Sequence, residues 1–363
     1  MKPQKKICFL VNIDWFYISH REALADMFIE DGFKVSVIAG KSKENKLINM
    51  TTFEVKSRIP TLFGLFEILK IILFKERKSI FIVVSPVMIL SFHFFLFFKK
   101  FAYYNFSGFG FIRSLSLKRQ SFLFSLMNYM PIHGNRIMVV QNKHDYNFLK
   151  SKITSKKIEI RLIPGSGYEN NSNSITSFNS DLTLGFVGRI RKDKGILTLI
   201  KAVNELKKSN YNLDIVIWGE IDYEGGHQFT NKELDFLNKN KLYFRGSSSS
   251  KPQIYSSFDV FCLPSSGEGL SKAAIEASSF GKPLILSDVP GNSDMINKNG
   301  FLFKYNDVND LKSKILILNS MNIDEIKCLS IESKQNYIDN WSLKSISRLW
   351  IDSINRDIIK LKY

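Results

Sequence analysis

Short runs of β-branched and aromatic residues, each followed by a helix-like stretch, limit most strongly what this chain can fold into. Lys6-Ile-Cys-Phe-Leu-Val-Asn12 reads as a strand, Ser19–Glu30 as a helix and Lys34-Val-Ser-Val-Ile-Ala39 as a second strand, with Gly32 ending the helix. Ser79-Ile-Phe-Ile-Val-Val-Ser85 is a further apolar strand, and Pro86 then opens a helix, where its missing N–H costs nothing. Strand-like runs resume at Thr183–Val187, Leu213–Trp218, Asp259–Leu263 and Pro283–Ser287. Alternation of this kind predicts an α/β protein with parallel sheets, helices on both faces and ligands at the C-terminal ends of strands. A chain of 363 residues is long for one core, so two domains are expected. The polar, Asn/Ser-rich stretch from Glu169 to Ser180 has little to bury and reads as a linker. The expected division is 1–170, a linker at 171–181, 182–345, and a C-terminal helix over 346–363 that crosses back to the first domain.

Two strand-to-helix turns in the second half carry candidate chemistry. After Asp259-Val-Phe-Cys-Leu-Pro264 come Ser265-Ser266-Gly267 and then Glu268-Gly-Leu-Ser-Lys-Ala-Ala-Ile-Glu276. A helix is predicted over Ser271–Phe280, which puts Glu268 in the turn before it and Glu276 just over one turn inside. Such a turn offers free backbone N–H groups and a positive dipole end to a phosphate, and the carboxylates suit sugar hydroxyls. A solvated helix face with a capping acid would also give two acids at this spacing. Upstream, Leu184-Gly-Phe-Val-Gly188-Arg189-Ile-Arg-Lys-Asp-Lys194-Gly195 repeats the plan of strand, glycine turn and helix. Arg189 and Lys194 stand at that turn, where fixed cations suit a diphosphate. An ordinary turn with basic decoration is the plainer account of this segment taken singly.

Taken together, Gly188-Arg189…Lys194-Gly195 and Glu268…Glu276 resemble the donor site of retaining glycosyltransferases of the GT-B fold, family 4. The stretch from Tyr255 to Gly291 is similar to that family nearly end to end. Leu162-Ile-Pro-Gly-Ser-Gly167 and Asn105-Phe-Ser-Gly-Phe-Gly110 resemble its branch that builds bacterial surface polysaccharides. The resemblance implies two Rossmann-like, doubly wound domains facing across a cleft. It implies that Arg189 and Lys194 clamp the diphosphate, that Glu268 contacts the donor sugar, and that Gly269 and Leu270 offer backbone N–H groups to the β-phosphate. Glu276 would hold the ribose. The implied reaction moves a sugar, with retention, from a UDP-N-acetylhexosamine or UDP-hexose to a polyprenyl-diphosphate-linked glycan, in O-antigen or capsule synthesis. Neither a cofactor nor a metal is implied, since the cations do the work of a divalent ion.

The first half is the expected acceptor domain. Asn12, Asp14, His20 and Arg21 follow the first strand, where an acceptor loop belongs, and Gly108 and Gly110 mark a second loop. A histidine near a helix end that bonds only to backbone is the plainer account of His20. Residues 1–180 carry 26 Lys and Arg against 12 Asp and Glu, a net of +14, whereas 181–363 net +3. No acid stands between Glu76 and Asp145, while Arg77, Lys78, Lys99, Lys100, Arg113, Lys118, Arg119, Arg136 and Lys143 are all basic. The same interval holds Ser91-Phe-His-Phe-Phe-Leu-Phe-Phe98 and Ser121-Phe-Leu-Phe-Ser-Leu-Met127. Aromatic bulk beside cations is what a peripheral protein presents to an anionic bilayer. The expected location is therefore cytoplasmic, on the inner face of the cytoplasmic membrane.

Rival readings can be ranged against these. Ile80–Phe98 is 19 residues without a formal charge and meets the length test for a membrane span, although Ser85-Pro86 interrupts a β-rich start. Nucleic acid could attract the basic charge, but no helix-turn-helix, zinc or RNP-like pattern accompanies it. Met1-Lys-Pro-Gln-Lys-Lys6 runs straight into a strand and gives no signal-peptide pattern. Cys8 and Cys262 lie inside apolar runs and read as reduced core residues, and neither the cysteines nor the five histidines show zinc-ligand spacing. An epimerase of the UDP-N-acetylglucosamine type shares the fold, and a non-catalytic lipid- or glycan-binding protein is the alternative from another class. A dinucleotide-dependent oxidoreductase would need Gly-x-Gly-x-x-Gly and a following acid, which are not found.

Overall fold

The computed structural model describes residues 5–41, 51–53, 55–56, 59–93, 96, 99, 101–109, 112, 115–129, 134–170, 178, 182–223 and 227–360. Most of the expected linker, Gly110, Lys100, Arg113 and His133 lie outside the described residues. The chain forms two compact units, one of Met1–Gly167 with Leu343–Tyr363 and the other of Tyr168–Ser342.

The first unit is built on seven strands: β1 (Lys6–Val11), β2 (Lys34–Gly40), β3 (Thr51–Phe53) and, after a short antiparallel pair β4 (Val55–Lys56) and β5 (Ile59–Pro60), strands β6 (Ile80–Val84), β7 (Phe101–Asn105), β8 (Asn135–Val140) and β9 (Ile158–Leu162). Their order is β3-β2-β1-β6-β7-β8-β9, and every pairing in that sheet is parallel. Alternate side chains go to opposite faces. Cys8 and Leu10 pack with Ile68, Ile72, Phe124 and Met127, whereas Ile7, Phe9 and Val11 pack with Leu24, Phe28, Trp350 and Ile354. Burial on both faces is why these strands read as unbroken apolar runs.

Two expectations need correction here. The helix read over Ser19–Glu30 is two helices, Asp14–His20 and Glu22–Glu30, because the backbone leaves the helical region at Arg21 (φ −132°). As the sequence suggests, the uncharged run opens as β6 and then a helix, Pro86–Phe92, separated at Ser85, whose φ of 82° no helix or strand accepts. Among the described residues no helix is long and apolar enough to cross a membrane. Lys99 and Arg136, counted above as surface cations, are buried. Lys99 donates to the carbonyls of Glu76 and Arg77 at 2.8 and 2.6 Å, and Arg136 to those of Lys99 and Asn135 at 3.1 and 3.0 Å. These cations satisfy internal carbonyls, which would otherwise be costly to bury.

The C-terminal helix, Leu343–Lys360, starts three residues earlier than read and belongs to the first unit. Ile346, Trp350 and Ile354 enter the core, and Asp357 receives a forked pair of bonds from Arg161 at 2.7 and 2.8 Å. The Tyr103 hydroxyl also donates to Asp357.

The second unit has a five-stranded parallel sheet of β10 (Thr183–Val187), β11 (Asp214–Trp218), β12 (Val260–Leu263), β13 (Leu284–Ser287) and β14 (Gly300–Phe303), ordered β11-β10-β12-β13-β14. β10, β11, β12 and β13 each lie within one residue of the strand read from sequence, and β14 was not among those runs. Cys8 and Cys262 are buried in their strands, and Cys328 is exposed. Strand order reverses between β10 and β12, which makes the ends of those two strands the natural ligand position.

Removing Asp357 would leave the largely buried Arg161 with the half-exposed Glu159 as its remaining charged partner, beside the Ser353 hydroxyl. Asp357→Ala is therefore expected to cost about 3 kcal/mol, at the low end for breaking a buried pair, checked by denaturant unfolding.

Candidate functional site

Both turns at the β10/β12 reversal are formed as the sequence suggests. After β10 the chain passes Gly188 and Arg189, makes a short 3-10 turn at Lys192–Lys194, and enters the helix Ile196–Lys208 through Gly195. After β12 it passes Glu268 and enters the helix Lys272–Ser279, capped by the Ser271 hydroxyl, which accepts from the N–H of Ala274.

Backbone contact locks the two turns together. Ser266 N–H donates to the Asp193 carbonyl at 2.8 Å, and Glu268 N–H donates to that of Pro290 at 3.0 Å. Gly195 has φ +70°, and a Cβ there would lie 1.9 Å from the Pro264 carbonyl oxygen. Gly291 has φ +85°, and its Cβ would fall 2.4 Å from the Glu268 carbonyl oxygen. Only glycine permits both the left-handed backbone and the close approach. Beneath the second turn, Ser287 donates to the Ser265 carbonyl at 2.5 Å, and the Asn292 amide donates to the hydroxyls of both serines.

The consequence is that Lys194 Nζ lies 2.6 Å from Glu268 Oε1, an ion pair joining side chains 74 residues apart. Both are partly buried, with side chains 23% and 13% exposed, so the pair is accessible while its attraction is less screened than on an open surface. Arg189 projects further, 52% exposed, and bonds Asp222 at 3.0 Å. Asp222 was not anticipated. It comes to Arg189 through backbone pairing, Asp222 N–H to the Ile190 carbonyl at 3.2 Å, a contact with no local signature.

Glu276 differs most from its sequence reading. It is 3% exposed, and its Oε2 accepts from Lys251 Nζ at 2.7 Å and from the Tyr255 hydroxyl at 2.8 Å. Burial, then the neighbouring Glu276 charge, push the Tyr255 hydroxyl well above its ordinary pKa, so it remains a donor. Neither partner was picked out beforehand. The signal available was their spacing, since residues four apart share one face of the helix Lys251–Ser256. Gly269 and Leu270 lie between Glu268 and the helix start, with Leu270 buried.

Of the residues expected to meet the acceptor, Asp14 and Arg21 are interior, and Asn12, His20 and Gly108 are partly accessible. Asp14 begins a helix and is buried, with its carboxylate accepting from the Trp15 N–H at 2.7 Å. Arg21 is 1% exposed; Nη1 donates to the His20 carbonyl, and Nε and Nη2 find no acceptor among the described residues. Burial lowers its pKa to about 10, which leaves it charged at neutral pH. His20 stacks on Phe16, centroids 4.4 Å apart, and its Nδ1 shares a hydrogen bond with Ser19. Asn12 and Gly108 are half-buried, and Gly110 lies outside the described residues. Ser85, which follows β6, has a positive φ, rare for a residue with a side chain, and lies beside the reversal between β1 and β6. No group of three metal-ligating side chains occurs among the described residues.

Residues 168–335 match the family model of glycosyl transferases group 1. A UDP-Gal:alpha-D-GlcNAc-diphosphoundecaprenol alpha-1,3-galactosyltransferase of Escherichia coli is 30% identical over 152 residues, 41% of this chain and 38% of that protein. The capsular polysaccharide biosynthesis glycosyltransferase CapM of Staphylococcus aureus is 29% identical over 140 residues, 38% of this chain and 36% of that protein. The matched stretches thus span little more than a third of the length of these curated relatives. Among solved structures, sucrose-phosphate synthase of Thermosynechococcus elongatus has a TM-score of 0.76 at 16% identity, covering 99% of this chain and 100% of that one. Anabaena Alr3699/HepE in complex with UDP and glucose has a TM-score of 0.74 at 15% identity, covering 97% and 100%. At such identities the likeness shows the fold, which is GT-B.

The close approach of the two turns can be tested directly. Gly195→Ala is expected to cost at least about 2 kcal/mol, from the left-handed backbone and the Pro264 collision. Gly267→Ala, which meets nothing within 4 Å, should change stability by no more than about 0.5 kcal/mol in the same denaturant titration.

Proposed function

We propose, for a chain whose residues 168–335 match the family model of glycosyl transferases group 1, that it is a retaining hexosyltransferase of surface-polysaccharide synthesis, using a UDP-N-acetylhexosamine or UDP-hexose donor. The observation that carries this reading is the Lys194–Glu268 pair across the β10/β12 reversal, with Arg189 beside it. A cation and a carboxylate in contact there can divide a nucleotide-sugar between them. Lys194 and Arg189 take the diphosphate, with backbone N–H groups at Gly269 and Leu270, and Glu268 turns to the sugar hydroxyls. As the glycosidic bond breaks, negative charge grows on the leaving diphosphate, and fixed cations stabilise that state more than the ground state. Arg189 and Lys194 do this with no bound metal. Glu276 holds the ribose.

The acceptor in this reading is a polyprenyl-diphosphate-linked glycan at the inner face of the cytoplasmic membrane. The names of the two relatives support it: one acts on a diphosphoundecaprenol-linked sugar and the other serves capsule synthesis. Exposure in the first unit supports it as well. Phe66, Leu73 and Phe74, on and just after the helix Leu62–Lys70, and Leu117, Phe122 and Tyr129, on the helix Leu117–Tyr129, all project outward. Both helices pack on the same face of their sheet. Lys70, Lys75, Arg77, Lys78, Lys118 and Arg119 are exposed on or beside them, and apolar tips with cations suit an anionic interface.

Turnover of UDP-, GDP- and dTDP-sugars with a membrane extract as acceptor source tests the reaction. One donor class should release nucleoside diphosphate only when acceptor is present, and Glu268→Ala should lower the rate by at least about 10²-fold. Donor isomerised without acceptor would replace the transferase by an epimerase. Co-sedimentation tests the surface: the wild type should pellet with vesicles containing anionic lipid, less so in high salt, and Phe74→Ser with Phe122→Ser should release it. Equal binding to uncharged vesicles, or none to either, would remove the membrane from this reading.

A further inference from the structure

We propose that Lys251 is a positioning residue for ribose recognition, acting through Glu276 together with Tyr255; the inference rests on the reading of Glu276 as the ribose holder. The two oxygens of Glu276 have unequal surroundings. Oε2 is held by the Lys251 ammonium at 2.7 Å and the Tyr255 hydroxyl at 2.8 Å. Oε1 accepts from none of the described residues, yet it is not sealed away from solvent. One oxygen therefore belongs to the protein and the other is presented, with its direction set by two donors on one helix face.

Tyr255 is rigid, since it is wholly buried and its ring stacks on Phe280 at 5.0 Å and 15°. Lys251 is the adjustable member: its side chain is 38% exposed and that of Glu276 only 4%. Charge gives Lys251 a second task. A bare carboxylate beside a diphosphate would repel it, whereas the Lys251–Glu276 pair is neutral overall and still offers a strong acceptor to hydroxyl donors. The presented oxygen can accept from the hydroxyls of a vicinal diol such as that of a ribose. Lys251 never touches the diol; it orients the oxygen that does.

Affinity for UDP and GDP, each beside its 2′,3′-dideoxy form, measured by calorimetry on the full chain, tests this independently of turnover. The wild type should bind the ribonucleotide at least about tenfold more tightly than its dideoxy form, as expected for hydrogen bonds to a charged group. Lys251→Met should reduce that ratio below about threefold, and Lys251→Arg, which keeps the charge, should retain most of it. In a Glu276→Gln chain, Lys251→Met should bring no further loss of the ratio, because the path through the carboxylate is already cut. If Lys251→Met weakens both forms by the same factor, Lys251 acts on something other than Glu276 and the proposal fails. A wild type that binds both forms equally removes the ribose role of Glu276 and this inference with it. A wild type that binds neither nucleotide overturns the nucleotide-site reading itself, which is a different result.

Discussion

The candidate site depends on the close backbone approach of two turns at the one reversal of strand order in the second unit. Ser266 donates to the Asp193 carbonyl, and Gly195 lies against Pro264 with no room for a Cβ. Side-chain chemistry follows from that contact. A lysine at the end of one turn and a glutamate in the other meet because their backbones are already joined, so little of the ordering cost falls on long, flexible side chains. A Gly195 with a side chain would force the turns apart and separate the pair before any ligand was considered.

The same economy appears around the carboxylates. Glu268 remains partly accessible and holds one cation, whereas Glu276 is almost wholly inside and holds a cation and a phenol on one oxygen. Burying a carboxylate is costly unless it is paired and hydrogen-bonded, and Glu276 meets both conditions. The two acids eight residues apart therefore differ in what they can do: one can exchange its partner for a ligand, and the other is set in place to present an oxygen.

In the first unit, internal bonding accounts for part of a charge pattern that looks like a surface property when read along the chain. Lys99 and Arg136 serve carbonyls inside the fold, and Asp14 and Arg21 are interior groups rather than the rim of a loop. The Lys and Arg on and beside Leu62–Lys70 and Leu117–Tyr129 do face outward, and they stand with the protruding aromatic side chains. Linear charge counts mislead here because a buried cation paired with carbonyls and a solvated one look the same in sequence.

The apolar runs of β1, β2, β6 and β10 to β13, the two glycine turns, and the placing of Arg189, Lys194, Glu268 and Glu276 at or just past those turns were legible in the sequence. Local rules govern them: buried parallel strands need continuous apolar runs, helices need caps, and tight turns need glycine. The break at Arg21, the positive φ of Ser85, the partnership of Asp222 with Arg189, and the capture of one Glu276 oxygen by Lys251 and Tyr255 were decided only by tertiary structure. Each depends on which segments the sheet order brings side by side. That order rests on the summed packing of many residues, and no short stretch of sequence records it.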